Sequence, residues 1–311
     1  MAYIRAFGAY LPERVVTNQE IASRVGVDPD WILNVSGIAE RRFAAAGEEV
    51  EDLAVGAARD CLTRAGATVE SIGMLIVASG TAARRFPGPS AAVASRLGLG
   101  GTPCLDLPMA SAGSLFGLAV AHGLAPLFGN VLLVGAEKMS AVTMREPLDR
   151  NSAILFGDGA GACLVGAESG MAKILGVCLQ SDGGFAGDLC LQWDAPLRMN
   201  GPVVILQASR KIPAAIQEVC LRHGVAPASV ESFLMHQANL NLIVRVAGAL
   251  GASAERFFSN IRRYGNTSSA SMLIAACEWQ AAGGFRPGAR VVFAGFGAGF
   301  HWGAVLAVGT S

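Results

Sequence analysis

Cys104-Leu105-Asp106-Leu107-Pro108-Met109-Ala110-Ser111-Ala112-Gly113-Ser114 is the stretch that decides how this chain is read. It opens apolar and strand-like, passes through small residues, and reaches Ser111 just before a helix-friendly run, Leu115 to Ala121. A serine at a strand-to-helix junction stands where backbone N–H groups lack intrahelical partners and the helix dipole is positive. Such a place suits a nucleophile whose reaction builds negative charge. It suits an ordinary N-cap equally well, so the rest of the chain has to choose.

Outward from that stretch the chain alternates strands and helices. Tyr3–Tyr10 reads as a strand, and Thr17 with Glu20 is spaced as a capping box. Asp28 to Leu33 opens a short helix, Glu51 to Ala65 is a helix, and Ile72 to Ala78 is a continuous apolar strand. Ser90–Leu97 and Ser111–His122 read as helices around the strand Cys104–Leu107, and Asn130 to Gly135 is the next strand. Phe156-Gly157-Asp158-Gly159-Ala160-Gly161 leads into the strand Ala162–Val165. It looks like a dinucleotide loop only superficially, with no following acidic residue in a βαβ setting.

Beyond a seam near Gly166–Gly170 the rhythm repeats. Ile174–Leu179 is a strand, Val204–Gly224 a long helix, and Ser232–Met235 a strand ending at His236. Leu240–Leu250 is a helix, and a further helix runs from Asn266-Thr267-Ser268-Ser269 through Gln280. The strands Arg290–Ala294 and Gly303–Val308 close the chain. This pattern predicts an α/β fold with a largely parallel sheet, in two similar halves, residues 1–168 and 169–311.

The 311 residues are 52% hydrophobic and carry no net charge, which provides a large core and no bulk attraction to nucleic acid. Seven cysteines without a CxxC pair read as buried free thiols of a reducing compartment. Met1 to Arg5 has no long apolar stretch, so no signal peptide is expected, and apolar runs stop short of a membrane span. A cytoplasmic location without membrane attachment is expected. No pattern suggests a metal, flavin or nicotinamide.

His236 and Asn266 each have an ordinary reading, a satisfied core histidine and a turn asparagine. They occur, however, with the Ser111 stretch, Phe156–Gly161, His236-Gln237-Ala238-Asn239-Leu240, Gly265-Asn266-Thr267-Ser268 and Gly297-Ala298-Gly299-Phe300-His301-Trp302-Gly303, in that order. Tyr10-Leu11-Pro12, Trp31-Ile32 and Gly37-Ile38-Ala39-Glu40-Arg41-Arg42 precede them. The whole chain resembles β-ketoacyl-acyl-carrier-protein synthase III of the thiolase superfamily.

The resemblance implies a five-layered αβαβα thiolase-like fold with two pseudo-equivalent halves, a homodimer, and acyl-CoA or acyl carrier protein as substrate without a cofactor. It implies catalysis by residues 111, 236 and 266, with an oxyanion hole from the N–H groups of Ser111 and Ala298. Trp31, Phe86, Arg150 and Phe156 fall at substrate-binding positions, Phe86 in the partner's acyl pocket. The family usually has glycine at position 298; an alanine there is strained if φ is positive.

The decisive departure is Ser111, which stands where the family has its nucleophilic cysteine. A serine hydroxyl is far less acidic than a thiol and needs a base, for which His236 is the candidate. Val35, Asn241 and Leu206 also stand where the family often has Arg, Arg and Lys. The reading that follows is an acyltransferase of polyketide or fatty-acid-type specialised metabolism, working through an ester on Ser111. The alternatives are a decarboxylative condensing enzyme whose cysteine has been changed to serine, and a non-catalytic acyl-binding homologue. The hydroxymethylglutaryl-CoA synthase branch needs a Glu base, and Val77-Ala78-Ser79-Gly80-Thr81 offers none.

Overall fold

The computed structural model describes residues 1–193 and 195–310. It opens with β1 (Tyr3–Tyr10), α1 (Asn18–Val25) and α2 (Pro29–Ser36). Thr17 caps α1 by accepting the Glu20 N–H at 3.3 Å. The Glu20 carboxylate does not complete a capping box; it turns to Arg14. Then come α3 (Val50–Ala65), β2 (Ile72–Ala78), α4 (Pro89–Leu97), β3 (Cys104–Leu107), α5 (Gly113–Phe128), β4 (Asn130–Lys138) and β5 (Asp158–Gly166). The chain continues through β6 (Ala172–Ser181), α6 (Gly201–Arg222), β7 (Ser232–Met235) and α7 (Leu240–Ala249). It finishes with α8 (Ser271–Ala281), β8 (Arg290–Gly297) and β9 (His301–Gly309).

Nine strands form one sheet in the order β7-β8-β9-β6-β1-β5-β4-β2-β3. Three pairings are parallel, β7 with β8, β2 with β3 and β2 with β4; the other five are antiparallel. The expected largely parallel sheet is therefore corrected to a mixed one. The short turn between β8 and β9 leaves no room for the crossover that a parallel pair requires. Strands buried on both faces read as unbroken apolar runs in either direction, which is why the pattern misled.

The sheet narrows at its centre, where β1 meets β6 only through Tyr3 with Lys173 and Ile4 with Ala172. Its two arms face each other across α5 and α8. Ile76 and Leu133 from one arm and Phe293 and Val305 from the other close on Leu115 of α5 and Leu273 of α8, all buried. The outer face of one arm is covered by Leu53 of α3 and Val93 of α4, that of the other by Ile216 of α6 and Ile243 of α7. This gives five layers, helix, sheet, helix, sheet, helix. Every residue from Ser271 to Cys277 is buried, as expected of a helix enclosed on all sides rather than an amphipathic one. Truncating Leu273 there to alanine should cost about 2–5 kcal/mol.

Two close approaches bring the arms to the site. A Cβ on Gly161 of β5 would lie 2.6 Å from the Leu273 Cβ, so glycine lets α8 settle on the sheet. A Cβ on Gly297 would lie 2.4 Å from the Ala110 carbonyl oxygen, so glycine lets the end of β8 press on the turn before α5. The Phe156–Gly161 motif serves packing in the same way. Asp158 accepts from the N–H groups of Ala44 and Ser140, each at 2.8 Å, and from Ser140 Oγ at 2.6 Å.

Candidate active site

Ser111 lies outside α5, one residue ahead of the N-cap position Ala112, with φ +63°. The helix was expected to begin at Ser111 and end at His122; it begins at Gly113 and runs on to Phe128 through Pro126. A left-handed serine costs about 1–3 kcal/mol and persists where its surroundings over-determine it. Among the described residues only one other non-glycine has positive φ, Ser268 at +48°. The two touch: the Ser111 N–H donates to Ser268 Oγ at 2.9 Å.

Beneath them lies Glu137, fully buried on β4. Its Oε1 accepts from Ser268 Oγ at 3.0 Å and the Ser269 N–H at 3.3 Å. Its Oε2 accepts from Thr81 Oγ1 at 2.6 Å, the Gly80 N–H at 3.0 Å and Ser79 Oγ at 3.4 Å. Burial raises the carboxyl pKa above its ordinary value, and the hydrogen bonds from Thr81, Ser268 and Ser269 offset part of that rise.

His236 follows β7 and is buried, its N–H donating to the Ala294 carbonyl at 2.8 Å. Its Nδ1 sits 2.6 Å from Ser271 Oγ, which also accepts the Gln237 N–H at 3.0 Å. Nε2 is thereby the nitrogen left for a ligand. Burial lowers the imidazole pKa to about 4, against a smaller opposing contribution from the Ser268 backbone. The ring is neutral at pH 7. Asn266 Oδ1 accepts the Ser268 N–H at 2.8 Å, which leaves its Nδ2 amide protons for a ligand.

Ser111, His236, Asn266, Phe156 and Ala298 line one cavity of about 140 Å³, walled by Leu191, Met199, Val204 and Leu242 among others. Apolar walls with a few convergent polar groups are what a ligand site requires. Cys190 also lines it, and Cys104 is exposed at the start of β3, so two of the seven thiols depart from the expected buried set. Ala298 has no positive φ, so the strain foreseen for it does not arise. The Ser111 N–H, foreseen as an oxyanion donor, is already directed at Ser268 Oγ.

Three foreseen binding residues lie outside this cavity. Trp31 is 37% exposed on α2, which is fastened near the rim where Asn239 Nδ2 donates to the Val35 carbonyl at 2.9 Å. Arg150 is exposed. Phe86 is 86% exposed in an open neighbouring groove, which shares Gly80, Thr81 and Leu191 with the cavity.

Residues 105–183 match 3-oxoacyl-[acyl-carrier-protein] synthase III, and residues 220–308 match that family's C-terminal region. A β-ketoacyl-[acyl-carrier-protein] synthase III of Nitratidesulfovibrio vulgaris is 36% identical over 97% of both chains. The chain belongs to the synthase III family. The crystal structure of the Aquifex aeolicus synthase III superposes with a TM-score of 0.95 at 33% identity, covering 99% of this chain and 100% of that one. The priming β-ketosynthase of the R1128 polyketide pathway superposes at 0.91 with 30% identity, covering 100% and 96%.

In this synthase III chain the motif Gly37–Arg42 is structural. Arg41 is buried and donates to Asn18 Oδ1 at 2.8 Å and to the Ile154 carbonyl at 2.7 Å, fastening α1 to the segment that carries Phe156. Burial lowers its pKa to about 10, so it stays charged. Sequence reasoning missed Glu137, Ser268 and Ser271. The available signals were a carboxylate ending the apolar run Val131–Ala136, and more hydroxyls after Asn266 than a cap needs.

Proposed function

We propose that the chain transfers an acyl group from an acyl-CoA or acyl carrier protein through an ester on Ser111, in polyketide or fatty-acid-type specialised metabolism. The observation that carries this reading is the left-handed Ser111 in one cavity with His236 and Asn266. The Ser111 oxygen attacks the thioester carbonyl, the C–S bond breaks, and the hydroxyl proton passes by way of His236 to the departing thiol. A second acyl acceptor then releases the ester. We further infer a homodimer in the cytoplasm, with a partner copy covering the exposed Phe86, and docking by an acyl carrier protein.

One feature of the site favours a second reading, decarboxylative condensation. A ring with pKa about 4 is a weak base for a hydroxyl but a good neutral partner for a thioester carbonyl. Together with the Asn266 amide it suits the enolate formed when a malonyl thioester loses CO2.

The test is intact-protein mass spectrometry after incubation with a panel of acyl-CoAs and acyl carrier proteins, with Ser111→Ala as control. Peptide mapping separates Ser111 from Cys190. A Ser111 adduct supports the ester, and its mass names the acyl group. No adduct, with condensation restored by Ser111→Cys, overturns it in favour of the second reading.

A further inference from the structure

Ser268 makes contacts in three directions. Its N–H donates to Asn266 Oδ1 at 2.8 Å, its Oγ accepts the Ser111 N–H at 2.9 Å, and the same hydroxyl donates to Glu137 Oε1 at 3.0 Å. One residue thus touches both the nucleophile and the asparagine, although Ser111 lies 157 positions away in sequence. Ser111 and Ser268 are also the two left-handed non-glycine residues among those described, and each is bonded to the other.

Glu137 is what keeps Ser268 in place. Its two oxygens receive three hydroxyls and two backbone N–H groups, all from the segments Ser79–Thr81 and Ser268–Ser269. A carboxylate accepts at about four lone-pair sites and donates nothing, so it can take the three closer donors, Thr81, Gly80 and Ser268, with the longer ones from Ser79 and Ser269 sharing what remains. An amide in its place turns an NH2 group toward groups that also donate. Gly80 and Thr81 line the cavity with Ser111 and Ser268, so this buried carboxylate joins two separate segments of the cavity wall.

We propose that Ser268, anchored by Glu137, is the positioning residue that holds Ser111 in its left-handed conformation and Asn266 with its amide protons toward the cavity. Neither Ser268 nor Glu137 takes part in bond making. The activity arm of the test rests on the Ser111 ester reading; the exchange arm does not.

Ser268→Gly is the informative variant. It removes the hydroxyl, keeps the N–H that orients Asn266, and places at φ +48° the residue that adopts that conformation most easily. Glu137→Gln keeps the shape and removes the pure acceptor. Two quantities are read: the rate of Ser111 labelling by acetyl-CoA and malonyl-CoA, and hydrogen exchange of the Ser111 backbone amide by mass spectrometry. Ser268→Gly should still melt cooperatively, the relief of the left-handed strain offsetting part of the lost hydrogen bonds, yet label about tenfold or more slowly at unchanged KM, with its Ser111 amide exchanging about tenfold or more faster. Glu137→Gln should move both readouts the same way, and the double variant should be no worse than the worse single one. Parental labelling and exchange in Ser268→Gly, or fully multiplicative losses in the double variant, would overturn the proposal. If the parent chain takes no acyl group, the ester reading fails while the exchange arm still decides this one. If Glu137→Gln does not fold, Ser268→Gly decides it alone.

Discussion

The two sides of the cavity are held by different means. Ser111 stands on a strained turn ahead of α5, whereas His236 stands at the end of β7, its backbone extended from the sheet by the bond to Ala294. Yet both are held by a hydroxyl from one short segment, Ser268 at the Ser111 N–H and Ser271 at the imidazole. Residues 266–271 thus touch both sides of the site. That segment reaches both because α8, which it opens, lies in the middle layer between the two arms of the sheet.

The largest expected effects separate the two sides. Ser111→Ala should abolish the acyl adduct while leaving malonyl-CoA decarboxylation, followed as CO2 release, within a few-fold of the parent. His236→Ala should lower decarboxylation by about 10²–10³-fold, the usual loss for one donor to a developing oxyanion, and should also slow the adduct, whose hydroxyl proton leaves by way of His236. Equal losses of both reactions in both variants would mean the sides act as one unit.

Next in size is Ser271→Ala. It leaves a buried imidazole nitrogen without its partner, at a cost of about 1–3 kcal/mol. We expect roughly a tenfold slower decarboxylation, with Ser111 labelling slowed as well because the same ring takes the hydroxyl proton. A parental rate would show that β7 alone orients the ring.

Acid stability tests the burial of His236. Its pKa falls from 6.5 in the unfolded chain to about 4 in the folded one, so between these values the unfolded chain binds the additional proton. Stability from this group is therefore complete above pH 6.5 and is lost as pH falls toward 4, by roughly 3 kcal/mol. Denaturant melts at pH 7 and pH 4.5 should show this slope in the parent and a shallower one in His236→Asn.

The smallest effect is expected at Ala298→Gly. Because Ala298 has no positive φ, glycine relieves nothing and costs about 0.5–1 kcal/mol of backbone entropy. Labelling should stay within about twofold. A large acceleration would show that the alanine holds the turn away from its reactive position.

Much of this molecule was legible in its residues. The gathering of Ser111, His236, Asn266, Phe156 and Ala298 was implied by the family resemblance of motifs in order, and the element order and the cap at Thr17 follow from local patterns. These are short-range properties: a capping oxygen, a periodicity or a glycine is decided within a few residues. Other features required the folded chain. Strand direction is not written in an apolar run, so the five antiparallel pairings came only with the sheet. The partners of Glu137 lie 56 to 132 positions away along the chain, and nothing near it announces them. The left-handed turn at Ser111, with its N–H on Ser268, and the neutral state of His236, set by burial, likewise depend on neighbours far away in sequence. Hydrogen-bond geometry and desolvation act between whatever neighbours packing supplies, and packing is a property of the whole fold.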